Sequence, residues 1–192
     1  IYVLKDIRFS KADRAKLSKN TPSSIDLQES FRLFEHATTF GSLITPSTVQ
    51  YDTSNHWTRN SLISDWDDAL KNKISVYRHQ LELLNKKHHV VVANPPYMGG
   101  RGMTLRLSKW LKEHYPKGKS DLFAAFVIRC INLSLAQSHI GMMTPFVWMF
   151  ISSYESLREL LIDTTTITSL IQLEYSGFEG ATVPICTFTL TN

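Results

Sequence analysis

Apolar residues recur along this chain with two different periods, and the change near residue 86 predicts two kinds of structure. Upstream the spacing is helical. Leu27, Phe31 and Phe34 share one face of a helix that Ser24 can open and Gly41 can stop. Residues 42–63 are rich in Ser, Thr, Asn and Pro and read as a loop. Ser64 and Asp67 then form a capping-box pattern. Behind it Trp66, Leu70, Ile74, Tyr77, Leu81 and Leu84 recur every three or four residues, the stripe of a helix packed on a core. Residues 1–23 are polar and irregular, with Lys5, Arg8, Lys11, Arg14, Lys16 and Lys19 clustered, and read as a solvated linker.

Downstream the pattern changes. The β-branched run His89-Val90-Val91-Val92-Ala93 predicts a buried strand that stops abruptly at Asn94-Pro95-Pro96-Tyr97. A glycine-rich loop, Met98 to Gly102, and a short helix over 107–114 follow. Ser120 can cap a long helix over 121–136, whose Leu122, Phe126 and Leu133 cover a broad face. A strand over 140–144 is closed by Pro145, and Ser152 with Glu155 suggests a further capping box before Leu157, Leu160 and Leu161. Strands over 166–174 and 184–190 flank a loop containing Gly177-Phe178-Glu179-Gly180.

Strands alternating with helices imply an α/β fold with a mostly parallel sheet of about four strands and right-handed crossovers. The last connection is too short for a helical crossover, so the final strand should run antiparallel. The expected organisation is a mainly helical or irregular segment, 1–85, followed by an α/β unit, 86–192.

Composition changes this picture little. The 192 residues are 43% hydrophobic and 20% charged, ordinary for a globular protein. No apolar run reaches the length of a membrane span and no secretory signal is visible, so a cytoplasmic protein without a membrane partner is expected. The net charge of +4 favours an anionic partner only mildly. Cys130 and Cys186 lie among apolar residues and read as reduced core thiols. The seven histidines form no ligand cluster, so no metal site is expected. Ile1 at the start and an apolar segment at the end suggest a piece of a larger protein.

The corner at Asn94 carries the chemistry. In an open α/β sheet ligands bind at the carboxyl ends of the strands. An aromatic amine such as that of adenine is a poor nucleophile, because its lone pair is delocalised into the ring. Two acceptors for its hydrogens draw that lone pair out of conjugation. The Asn94 side-chain carbonyl and the Pro95 backbone carbonyl are suitable acceptors. Prolines at 95 and 96 remove competing N–H donors and stiffen the turn. Tyr97 can stack on the base. Acceptors placed before the reaction stabilise charge developing on the nitrogen, and positioning supplies much of the remaining rate.

At these residues the chain resembles the S-adenosylmethionine-dependent amino-methyltransferases that make N6-methyladenine in DNA. Ser120-Asp121-Leu122-Phe123-Ala124-Ala125-Phe126 resembles that family's next helix, whose last aromatic packs on the cofactor's adenine. Ile140 to Pro145 is similar to the family's following strand. Phe178 falls where the family carries the aromatic that stacks on the target base. Residues 144–149, 174–178 and 181–185 are similar to the PglX-type enzymes of BREX phage-resistance systems, as is, more weakly, the stretch 34–44. The resemblance implies the C-terminal half of a Rossmann-like class I methyltransferase sheet. It implies S-adenosylmethionine contacts at Asn94 and Phe126. It also implies double-stranded DNA with a flipped adenine held between Tyr97 and Phe178, and other phage-defence proteins as partners.

The family's glycine-rich cofactor turn has no counterpart before residue 89, and no target-recognition domain is recognisable. The expectation is a segment with half a cofactor pocket, inactive alone, whose open sheet edge is covered by residues 1–85 or by self-association. The corner alone leaves two other readings open. One is methyl transfer to a protein glutamine amide or to the amine of guanine in RNA. The other is a non-catalytic component that binds DNA or a partner in phage defence.

Overall fold

Two residues inside the polar N-terminal stretch cap one another. The Ser10 Oγ accepts from the Asp13 backbone N–H at 3.1 Å, and the Asp13 carboxylate accepts from the Ser10 N–H at 2.9 Å. They open helix α1, Lys11–Lys19. The stretch is therefore not the solvated linker that its lysines suggest. Ile7, Phe9 and Leu17 are buried, Arg14 pairs with Glu35 at 2.5 Å, and Lys16 pairs with Asp67 at 2.9 Å. This computed structural model describes residues 2–19, 27–47, 50, 52–54, 57, 66–174 and 183–192. The chain divides into two units, Ile1–Lys86 and Lys87–Asn192.

In the first unit the helix expected from Ser24 to Gly41 is broken in two, α2, Gln28–Phe34, and α3, Ala37–Phe40. Gly41 ends α3 at φ +57°, a conformation glycine adopts without strain. The long stripe forms α4, Asp68–Asn85. Its cap is Asp67, whose Oδ1 accepts from the Leu70 N–H at 2.8 Å; Ser64 lies outside the described residues. Phe31, Phe34, Trp57 and Tyr77 form an aromatic core in which Phe34 meets Tyr77 edge-on at 4.9 Å. The supposed loop supplies part of it, since Leu43, Ile44 and Trp57 are buried.

The second unit is α/β, as expected. Its strands are β1, His88–Ala93, β2, Ser134–Pro145, β3, Thr166–Gln172, and β4, Ile185–Thr191. Their spatial order is β1-β2-β4-β3. β1 and β2 are parallel, and β4 runs antiparallel to both β2 and β3. Three strands thus share one direction and the last opposes them. The helices are α5, Leu105–His114, α6, Leu122–Leu133, and α7, Glu155–Thr164.

One face of this sheet is packed. Phe123, Val127 and Cys130 of α6 and Leu157 and Leu161 of α7 bury Ile140, Met142, Phe188 and Leu190. Each fully buried Leu, Ile or Phe contributes roughly 1.5–3 kcal/mol of hydrophobic stabilisation. The other face is open, and this corrects the expectation of a buried first strand. Among the described residues β1 stands at the end of the sheet, and in it Val91 and Ala93 turn toward the core, while Val90 is 61% and Val92 78% exposed. A β-branched run is shared by edge and central strands alike, so the run did not reveal its neighbours.

Three boundaries also moved. The expected helix over 121–136 stops at Leu133, and β2 begins at once, with Gln137 at φ 59° beside a register shift against β1. Asp121, not Ser120, caps α6; the Ser120 hydroxyl donates instead to the Ser153 carbonyl at 3.1 Å. The Ser152–Glu155 box does not form, because Ser152–Tyr154 is a 3-10 turn and Tyr154 stands at the N-cap of α7. No helix among the described residues is long and apolar enough to cross a membrane.

Candidate functional site

β1 delivers the corner at its carboxyl end, beside β2. Asn94 and Pro96 are exposed, Pro95 is buried, and Tyr97 is half-buried. The Tyr97 hydroxyl lies 3.1 Å from the Asn94 Oδ1 and 3.4 Å from the Met143 carbonyl oxygen, so one hydrogen is directed at two acceptors. Met143 belongs to β2, and the corner is thereby tied to the neighbouring strand. A carbonyl oxygen has two lone pairs, so Asn94 keeps acceptor capacity for a ligand. Burial, and then the nearby Cys186, push the Tyr97 phenol above its ordinary range, which keeps it a donor at neutral pH.

Phe123 supports the ring. It meets Tyr97 edge-on at 6.5 Å and packs against Tyr154 at 5.5 Å. The resemblance singled out Phe126 from the same helix for the cofactor, yet Phe123 is the ring beside the corner. Phe126 is half-buried while Phe123, Val127 and Cys130 enter the core. It therefore presents part of its ring to solvent. Phe178 lies outside the described residues.

Asp121 closes the loop that follows the corner. Its Oδ1 accepts from the Met98 N–H at 2.9 Å and from the Phe123 N–H at 3.2 Å, and the Leu122 N–H donates to the Met98 carbonyl at 3.0 Å. Gly99 forms an isolated bridge with Asp121. Burial raises the Asp121 carboxyl above the usual range, although three backbone N–H groups oppose it. Asp121 also helps hold the Tyr154 phenol up at about 12, after burial, the larger cause. An aspartate directly before an apolar helix is an N-cap signal, and it could have been preferred to Ser120. Its bond to Met98, 23 residues away, has no local signature. Among the described residues no group of three His, Cys, Asp or Glu side chains could hold a metal ion.

Comparison with known proteins decides the family. The model of the Eco57I restriction-modification methylase family matches residues 8–178. The chain belongs to that family. Adenine-specific methyltransferase BrxX of Escherichia coli O9:H4 (strain HS) is 39% identical over 102 residues, covering 53% of this chain and 8% of BrxX. Adenine-specific methyltransferase PglX of Lacticaseibacillus casei (strain Zhang) is 34% identical over 139 residues, covering 60% of this chain and 12% of PglX. These two bear out the PglX-type resemblance. The type II restriction enzyme and methyltransferase RM.Eco57I of Escherichia coli is 27% identical over 133 residues, 66% of this chain and 13% of that protein. The chain therefore spans about a tenth of the length of the curated relatives it matches.

Proposed function

We propose that this chain carries the catalytic corner of a DNA methyltransferase that adds a methyl group to N6 of a flipped adenine. In this reading the enzyme marks its own DNA in a phage-defence or restriction-modification setting. The observation that carries the reading is the Tyr97–Asn94 hydrogen bond at the end of β1. It holds the amide oxygen in a fixed direction before any substrate arrives, as a preorganised acceptor requires. Asn94 and the Pro95 carbonyl accept hydrogen bonds from the two amine hydrogens, and the nitrogen lone pair is drawn out of the ring for attack. Tyr97 and Phe178 stack on the two faces of the base, which has left the duplex to reach the corner.

S-adenosylmethionine fits the residues at hand in part: Phe126 keeps a half-exposed ring for an adenine, and the exposed Asn94 can meet the donor's polar end. When bound, that cofactor supplies the methyl group as a sulfonium. The chain's own residues orient the acceptor nitrogen and stabilise the positive charge that develops on it, which ends when one amine proton is lost to water. The region expected to hold a glycine-rich cofactor turn has no match in this chain. Alone, then, the segment binds the cofactor weakly and does not turn over.

The test is Asn94→Ala in the full-length methyltransferase that contains this segment, assayed on DNA, RNA and protein. Loss of adenine methylation with DNA binding retained supports the reading. Unchanged methylation overturns it in favour of a non-catalytic role, and methyl transfer to RNA or protein replaces the substrate. Calorimetric titration of the 192-residue chain with the cofactor tests the second claim, which a sub-micromolar dissociation constant would refute.

A further inference from the structure

The distribution of charge around the corner is lopsided. The chain has 21 lysines and arginines against 17 carboxylates. Residues 99–120 contain six of the cations, Arg101, Arg106, Lys109, Lys112, Lys117 and Lys119, and one carboxylate, Glu113. Everything else carries 15 cations against 16 carboxylates, so the whole excess of positive charge comes from this excursion. All six cations are exposed. On α5, Arg106, Lys109 and Lys112 project from one side, because Leu107, Trp110 and Leu111 are buried on the other.

The excursion is also fastened. Its two ends meet at the Met98–Asp121 neck, directly after Tyr97. Just before the neck Gly118 lies so close to α6 that an added Cβ would sit 2.8 Å from the Ala125 nitrogen. Trp110 stacks on His114 at 4.6 Å and packs against Tyr115, giving the arm a small core of its own. A cationic arm tied at both ends beside the corner places anything it grips next to that corner.

We infer that residues 99–120 form a phosphate-gripping arm that holds the backbone of duplex DNA next to the Asn94 corner. This inference rests on the DNA reading proposed above and gives it a binding surface. The arm acts through charge and not base edges, so it contributes affinity and position without sequence preference. Each phosphate neutralised releases counterions and adds roughly −0.9 to the slope of log affinity against log salt.

The experiment is a salt titration of a fluorescein-labelled random-sequence DNA duplex with the 192-residue chain. The variant K109Q/K112Q/K117Q/K119Q is compared with K5Q/R8Q/K11Q/K19Q, which removes equal charge from the first unit, and with the four arm lysines changed to arginine. The arm variant is expected to flatten the slope by about 3–4, one step for each lysine that no longer meets a phosphate. The control and the arginine variant should keep the original slope. An unchanged slope in the arm variant overturns the inference, as does an equal loss in the control, absence of duplex binding at low salt, or tighter binding to single-stranded RNA than to duplex DNA. None of these outcomes touches the Asn94→Ala methylation result, so the arm and the corner fail separately.

Discussion

The hydroxyl of Tyr97 donates to the side-chain oxygen of Asn94 at 3.1 Å, so the corner that would hold a substrate amine is braced by its own last residue. The ring and the hydroxyl of Tyr97 therefore have separable roles. Tyr97→Phe keeps the ring against Phe123 and removes the brace. On the proposed reading, in an enzyme that contains this segment, this change should lower the methylation rate about tenfold, one hydrogen bond's worth, with little change in DNA affinity. Tyr97→Ala removes the stacking surface as well and should cost a further 1–3 kcal/mol, or roughly 5–150-fold. Because burial holds the phenol above its ordinary range, no Tyr97 ionisation should appear in a pH–rate profile below pH ~10.

Asp121 is an N-cap whose charge is a burden. Its pKa is raised in the folded state, so its ionisation favours unfolding as pH rises from the unfolded value through the raised one. Asp121→Asn retains an oxygen acceptor for Met98 and Phe123 without the charge, and should match or exceed the parent in denaturant midpoint at pH 7. Asp121→Ala should lose about 1–2 kcal/mol as a deleted cap. It should also release the neck, read as faster amide exchange at Met98 and Leu122.

Gly118 has no room for a side chain. A Cβ there would stand 2.9 Å from the Ala124 carbonyl carbon and 2.8 Å from the Ala125 nitrogen, both backbone atoms that cannot swing aside. Gly118→Ala should destabilise the second unit by about 1–3 kcal/mol, the range for overpacking, measured by urea unfolding followed at a probe in that unit.

The first unit should be acid-sensitive through Asp13. Burial pushes its carboxyl up, but bonds from Lys73, at 2.8 Å, and from Ser10 outweigh this and leave it below the usual range. A depressed carboxylate stabilises the fold above its unfolded pKa and loses that contribution as pH falls through the folded value. Stability of the parent should fall as pH drops below about 4. Asp13→Asn should flatten that fall and cost about 1–2 kcal/mol at pH 7.

Much of the second unit was legible because its signals are local. A β-branched run and a Pro-Pro corner are each written within a few residues, and the place of β1 and the antiparallel last strand came out as read, although β1 is exposed on one face. The errors lie where a distant partner decides. Ser134 to Ser138 alternate too weakly to suggest a strand, yet they belong to β2, where His88 pairs with Ser134 and the register then slips. Ser10 and Asp13 did carry a local capping signal, masked by the lysines around them. Phe126 and Phe123 are three residues apart on one apolar helix, and only packing separated the half-buried ring from the one against Tyr97.

By itself, then, the sequence determined the chemistry available at the corner: an amide, two prolines and a phenol at a strand's carboxyl end, followed by a stretch holding all the excess positive charge. Tertiary structure alone decided three further things. β1 ends the sheet among the described residues with Val92 open to solvent, Tyr97 is braced on Asn94 and Met143, and Asp121 closes the cationic arm at its neck. The reason is physical. Periodicity and residue type act over one or two turns of chain. Burial and the Met98–Asp121 bond depend on which distant segments arrive side by side, and that is set by the packing of the whole unit.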